Sequence, residues 1–81
     1  SILETRSRNE RTEIYAVVRN EGSWFLGRFD DQLRLVARSA VTVNPYTVLT
    51  FADEYLYVQQ TDDEIISLAI DTMETASRDD R

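Results

Sequence analysis

The sequence predicts an α+β domain: a curved antiparallel sheet of about five or six strands, open or closing toward a partly open barrel, packed on a C-terminal amphipathic helix. Three observations predict it. β-Branched and aromatic residues fill short segments between Glu13 and Gln60. Turn-forming residues punctuate those segments at regular intervals. A helix-capping sequence then opens the last apolar stretch.

Taken in order, residues 1–12 carry Arg6, Arg8 and Arg11 against Glu4 and Glu10, with one apolar pair, Ile2 and Leu3, and read as a flexible polar arm. Glu13–Arg19 follows as a strand, and Asn20-Glu21-Gly22-Ser23 supplies its turn. Trp24–Phe29 pairs back on it, Asp30-Asp31-Gln32 makes a second turn, and Leu33–Arg38 returns, with Ala40–Val43 continuing past Ser39. Asn44-Pro45 breaks the run because proline has no ladder donor. Tyr46–Phe51 and Tyr55–Gln60 form a last hairpin about Ala52-Asp53-Glu54, with Leu49 and Phe51 set against Val58 and Leu56. No internal repeat is evident.

Thr61-Asp62-Asp63-Glu64 fits a capping box, in which hydroxyl and carboxylate satisfy orphan backbone donors. The helix is expected from Asp62 to Ala76. On it Ile65, Ile66, Leu68, Ala69, Ile70 and Met73 cover an arc of about 200°, wider than one-sided packing needs. The flank carrying Leu68 is therefore a candidate contact surface. The domain spans residues 13–76, and residues 77–81 are expected to be a solvated tail.

Register can be argued from side chains, because a one-residue slip exchanges the two faces of a strand. A two-residue loop at Glu21-Gly22 sets Ile14 opposite Phe29, Ala16 opposite Gly27 and Val18 opposite Phe25. A three-residue loop at Asp30-Asp31-Gln32 adds Leu33, Leu35 and Ala37 to the same face, which is taken as the core. The other face then holds Tyr15, Val17 and Arg19, followed by Trp24, Leu26 and Arg28, and Arg34, Val36 and Arg38. Guanidinium groups set opposite one another destabilise a sheet unless a carboxylate or another anion intervenes, and Trp, Tyr and Arg are enriched in binding hot spots. Tyr15, Arg19, Trp24, Leu26, Arg28, Arg34, Val36 and Arg38 are accordingly the candidate partner-binding residues. The same face also accommodates arginine stems lying along the sheet, with their heads paired to Asp30, Asp31, Glu13 or Glu21.

Composition narrows the chemistry. The chain of 81 residues carries nine basic and fifteen acidic side chains for a net charge of −6, and has no His, Cys or Lys. The customary neutral-pH general base, the thiolate nucleophile and the Schiff-base amine are thus missing, as are both usual ligand types of zinc sites. Carboxylate chemistry would need a cleft that raises one pKa, which so short a chain rarely builds alone. No calcium-loop spacing and no Gly-rich phosphate loop is present. The expectation is a non-catalytic protein–protein interaction or regulatory module without cofactor or metal, self-associating as a homodimer or larger homo-oligomer. The alternative is a small single-stranded nucleic-acid-binding domain using the same strip and the arginines of the arm. No apolar run reaches the length of a membrane span, and a cytoplasmic location is expected.

Gly27-Arg28-Phe29-Asp30 followed by Leu33-Arg34-Leu35-Val36 resembles the strand–turn–strand of Sm-like RNA-binding proteins. In that family, however, the helix precedes the strands, and no family is assigned on this likeness.

Overall fold

Seven strands in two antiparallel sheets make up the regular structure of the computed structural model, which describes residues 3–76. The first sheet is a meander of β1 (Leu3–Arg8), β2 (Arg11–Asn20), β3 (Ser23–Phe29) and β4 (Leu35–Arg38). The second is a meander of β5 (Thr50–Ala52), β6 (Tyr55–Gln59) and β7 (Ile65–Ala69). No helix occurs among the described residues, so the expected α+β class is corrected to all-β.

The stretch expected to be a C-terminal helix is a hairpin strand. Ile66, Leu68 and Ile70 point into the core while Ile65, Ser67 and Ala69 alternate outward, a period of two. The broad apolar arc at helical spacing was the projection of a strand with nonpolar residues on both sides. Three isoleucines within six residues also favour an extended backbone. Thr61-Asp62-Asp63-Glu64, expected to cap a helix, closes the β6–β7 turn instead. Gln60 N–H donates to Glu64 O, Asp63 N–H donates to Gln60 O, and Asp63 takes the left-handed φ of 75°. The Asp30–Arg34 loop repeats this pattern: Asp30 N–H donates to Arg34 O, Leu33 N–H to Asp30 O, and Leu33 has a φ of 64°. Past β7 the chain turns through Ile70–Met73 and comes back, with Ala69 N–H donating to Glu74 O and Ala76 N–H to Ser67 O.

The N-terminal residues are a further correction. Leu3–Arg8, expected within a flexible arm, is β1, paired along its length with β2 through a tight turn at Asn9-Glu10 whose residues both have positive φ. The expected tail over residues 77–81 lies outside the described residues.

The register of the central hairpin is the one the side chains imply. Ile14 faces Phe29, Ala16 faces Gly27 and Val18 faces Phe25, with Glu21-Gly22 as the two-residue turn. Both turn residues have positive φ (53° and 86°), a conformation Gly22 adopts without steric cost. The next strand departs from expectation. Phe29 pairs with Leu35 and Arg28 with Ala37, the bulge leaving Val36 as the extra residue. Leu35 therefore shares the face of Phe29, whereas Ala37 turns to the other.

The faces are reversed relative to the expected core. Tyr15, Val17 and Leu26 point into the space between the sheets and meet Leu56, Val58, Ile66, Leu68 and Ile70. An edge contact between the Tyr15 and Phe51 rings, 4.9 Å between centroids, ties the layers together. Ile14, Ala16, Val18, Phe25 and Phe29 lie outside. The chain passes from one sheet to the other at Ser39–Asn44: Val43 N–H donates to Trp24 O, and Val43 also bridges to Gln60. Two wholly buried hydroxyls complete the ladder where this crossing interrupts it. Ser39 Oγ accepts from Leu26 N–H at 3.0 Å and Thr47 Oγ1 from Gln59 N–H at 2.7 Å.

Candidate functional site: a buried arginine cluster and two largely apolar outer faces

Strand alternation that buries Tyr15 also sends Glu13 and Arg28 inward, and β1 contributes Arg8 to the same side. Glu13 Oε1 accepts from Arg8 Nε at 3.0 Å and from Tyr15 Oη at 2.7 Å. Its Oε2 accepts from Arg8 Nη2 at 2.9 Å and from Arg28 Nη1 at 3.1 Å. Arg28 then crosses to the second sheet, its Nε donating to Ile70 O at 3.0 Å and its Nη2 to Asp71 O at 2.8 Å. Arg8 Nη2 also reaches Asp71 Oδ1 at 2.9 Å. The cluster is thus a polar clamp between the layers, and among the described residues no buried side-chain N or O atom lacks a partner.

Its electrostatics follow from those contacts. Burial alone would raise the Glu13 carboxyl, but hydrogen bonds from Arg8 and Tyr15 and the charges of both arginines outweigh it and hold the group below the usual carboxylate range. Burial, reinforced by the hydrogen bond to Glu13, pushes the Tyr15 phenol up. The hydrogen bond to Glu13 is the main reason that Arg8 is raised, against the opposing effect of burial. Outside the clamp a groove of about 620 Å³ runs between the β1–β2 turn and the Asp30–Arg34 loop. Arg8, Arg11, Arg28, Arg34 and Val36 are among its lining residues. Arg34 Nε donates to Asp30 Oδ2 at 3.0 Å, and hydrogen bonds led by that of Arg34 N–H lower the Asp30 carboxyl.

The expected binding strip does not form one surface. Tyr15 and Leu26 are wholly buried, Arg28 is 9% exposed, and Trp24 packs half-buried against the core with Arg19 beside it. Arg38 is on the opposite face of the first sheet from Trp24, its Cζ 4.2 Å above the Phe25 ring. Arg28, Arg34 and Val36 do come together, at the groove, and the pairs Arg28–Glu13 and Arg34–Asp30 supply the intervening carboxylates. Leu68, expected on a helix flank, is wholly buried on β7. For Tyr15, Leu26 and Arg28 the reason is that β2 and β3 are apolar on both faces, and the desolvation that argues against an inward arginine is offset when a carboxylate enters with it.

What the sequence reading left out of the contact surface is the outer face of the first sheet. One cross-strand row runs Thr5, Ile14, Phe29, Leu35, and the next runs Leu3, Ala16, Gly27, Arg38. Val18 and Phe25 pair beyond them. Leu3 is 72% and Leu35 53% exposed, and Arg38 is the one charge in these rows. Phe29 and Leu35 lie over Gly27 so closely that a Cβ there would meet them at 3.0 and 3.1 Å. The sequence signal for this surface is the second apolar face of the hairpin, the one its side chains mark as the expected core.

The outer face of the second sheet is different in kind. Thr50, Tyr57 and Ser67 form one row, and Ala52, Tyr55 and Ala69 the next, with Gln59 opposite Ile65. None of these side chains is charged at neutral pH.

The fold and these surfaces define a two-layer β-module whose charges are gathered into turns, edges and an interlayer clamp. Comparison with protein-family models, curated proteins and solved structures gave no match. No helix among the described residues is long and apolar enough to cross a membrane.

Proposed function

We propose that this chain is a non-catalytic interaction module that self-associates, the outer face of the β1–β4 sheet docking on a second copy. The observation that carries the reading is the apolar surface of Leu3, Ile14, Val18, Phe25, Phe29 and Leu35, interrupted by one cation in a chain of net charge −6. Contiguous apolar patches beyond a few hundred Å² are uncommon on monomers. The described residues span 35 × 31 × 17 Å, and the short dimension suits two layers packed about 10 Å apart.

Two features support a binding role over chemistry. The buried carboxylate of Glu13 accepts four hydrogen bonds and is held ionised, which suits a structural anchor and not a proton donor. His, Cys and Lys are absent from the sequence. Light scattering across a concentration series tests the reading. The mass should rise above the 9.4 kDa monomer, and Leu35→Asp, at an exposed position, should return it to the monomer while the thermal transition is retained. A wild-type protein that stays monomeric to millimolar concentration overturns the proposal.

A further inference from the structure

Resting on that self-association, we infer that copies stack head to tail, the outer face of the β1–β4 sheet of one copy receiving the outer face of the β5–β7 sheet of the next. The second face is itself unpartnered. Tyr55 and Tyr57 stand at its centre, flanked by Thr50, Ala52, Ser67 and Ala69, with Ile65 71% exposed at its margin. In a chain with 30% charged residues, these three strands present no charged side chain on this face, and Glu74 lies beside Ala69 at its edge. Tyrosine with small hydroxyl residues is the composition of surfaces that bind with adaptable hydrogen bonds and large rigid rings.

The two faces complement each other better than either complements itself. The first is aliphatic and phenylalanine-rich and holds a single cation, Arg38, already stacked on Phe25. The second offers neutral tyrosine rings and hydroxyls, which accept a guanidinium by cation–π contact or hydrogen bond. Face-to-face pairing of two first sheets would supply no such acceptor ring beyond phenylalanine and would leave the tyrosine face in water. Inside the chain a first sheet already packs on a second sheet, and head-to-tail stacking continues that order from copy to copy. Such a contact is heterologous, so it propagates until the rotation per copy closes a ring or the stack runs on.

Complementing variants separate the possibilities. Leu35→Asp spoils the first face and Ile65→Asp the second, both at exposed positions. Under head-to-tail stacking the wild type grows beyond two copies. Each variant alone falls by at least about tenfold in association constant, and their equimolar mixture forms a one-to-one heterodimer through the two intact faces. Ile65→Asp alone keeping a twofold mass, or a mixture that forms no heterodimer, overturns the stacking while leaving association through the first face standing, and Leu35→Asp alone keeping a twofold mass overturns both. A monomeric wild type removes both. Circular dichroism checks that each variant is folded, and Leu3→Asp with Tyr57→Asp provides a second pair if either of the first fails to fold.

Discussion

Glu13→Gln is the sharpest probe of how the two layers hold together. The carboxylate is the common acceptor for Arg8, Tyr15 and Arg28, at 2.7 to 3.1 Å. The side chains of Glu13 and Arg28 are 11% and 10% exposed and that of Arg8 is 19% exposed. An amide of the same shape turns an N–H₂ toward guanidinium donors and removes the charge that balances them. Breaking a buried ion pair by removing one partner costs about 3–5 kcal/mol. Arg28 keeps the carbonyls of Ile70 and Asp71, and Arg8 keeps the Asp71 carboxylate, so the low end applies, about 3 kcal/mol.

A chain of this size has a total stability of about 4–12 kcal/mol, and a loss of about 3 kcal/mol lowers the melting temperature by roughly 12–24 °C. Urea unfolding followed by Trp24 fluorescence and a calorimetric melt both read it. The difference from wild type must also depend on pH. Because the folded Glu13 pKa lies below its unfolded value, its contribution is present above the unfolded pKa of about 4.3 and is lost as pH falls through the folded one. The two proteins should converge in acid. A loss under about 0.5 kcal/mol at pH 7, the size expected of an exposed pair, or a gap unchanged down to pH 2, would refute the clamp.

Two further outcomes follow from single residues. Tyr15, with a phenol pKa raised in the fold, contributes stability that is present below the unfolded pKa of about 10 and is lost as pH rises toward the folded value; wild type should weaken above that point in alkaline denaturation, and Tyr15→Phe should show a flatter curve. Leu33, 70% exposed with a φ of 64°, pays the steric cost of a left-handed backbone for little packing, so Leu33→Gly should leave stability unchanged or raise it by up to about 1 kcal/mol in urea.

The strand order from Glu13 to Phe29 and the register of its hairpin were legible because turn chemistry and side-chain pairing act over a few residues. The Phe51–Leu56 pairing in the last hairpin was legible for the same reason. Which face of β2 and β3 turns inward was not, since one register serves both orientations, and the choice depends on a second sheet contributed by residues 50–69. Ile14, Val18 and Phe25 are as apolar as Tyr15, Val17 and Leu26. The deciding groups are Glu13 and Arg28, whose burial is acceptable only as a pair, with Arg8 from a segment that reads as loose polar chain. Ile65–Ala69 misled for a related reason: a strand nonpolar on both sides satisfies a helical period as well as its own. Its β-branched content was the better guide.

Burying the charges and exposing the apolar rows are two sides of one choice. With β2 and β3 apolar on both faces, the chain must leave one face to water or to a partner. The inward orientation gives Tyr15 an acceptor in Glu13 and lets Arg28 tie β3 to the Ile70–Asp71 turn. The opposite orientation would release these groups to solvent and leave the layers joined by packing alone. The clamp therefore secures the interlayer contact without drawing on the outer rows, and Leu3, Leu35 and Ile65 remain free to be covered. Burying each of those side chains fully is worth about 1.5–3 kcal/mol, enough for a few such contacts to hold two copies together. Since the clamp and the outer faces share no side chain, Glu13→Gln should weaken folding in proportion to its effect on the monomer, whereas Leu35→Asp should weaken association and leave the monomer's melt nearly unchanged.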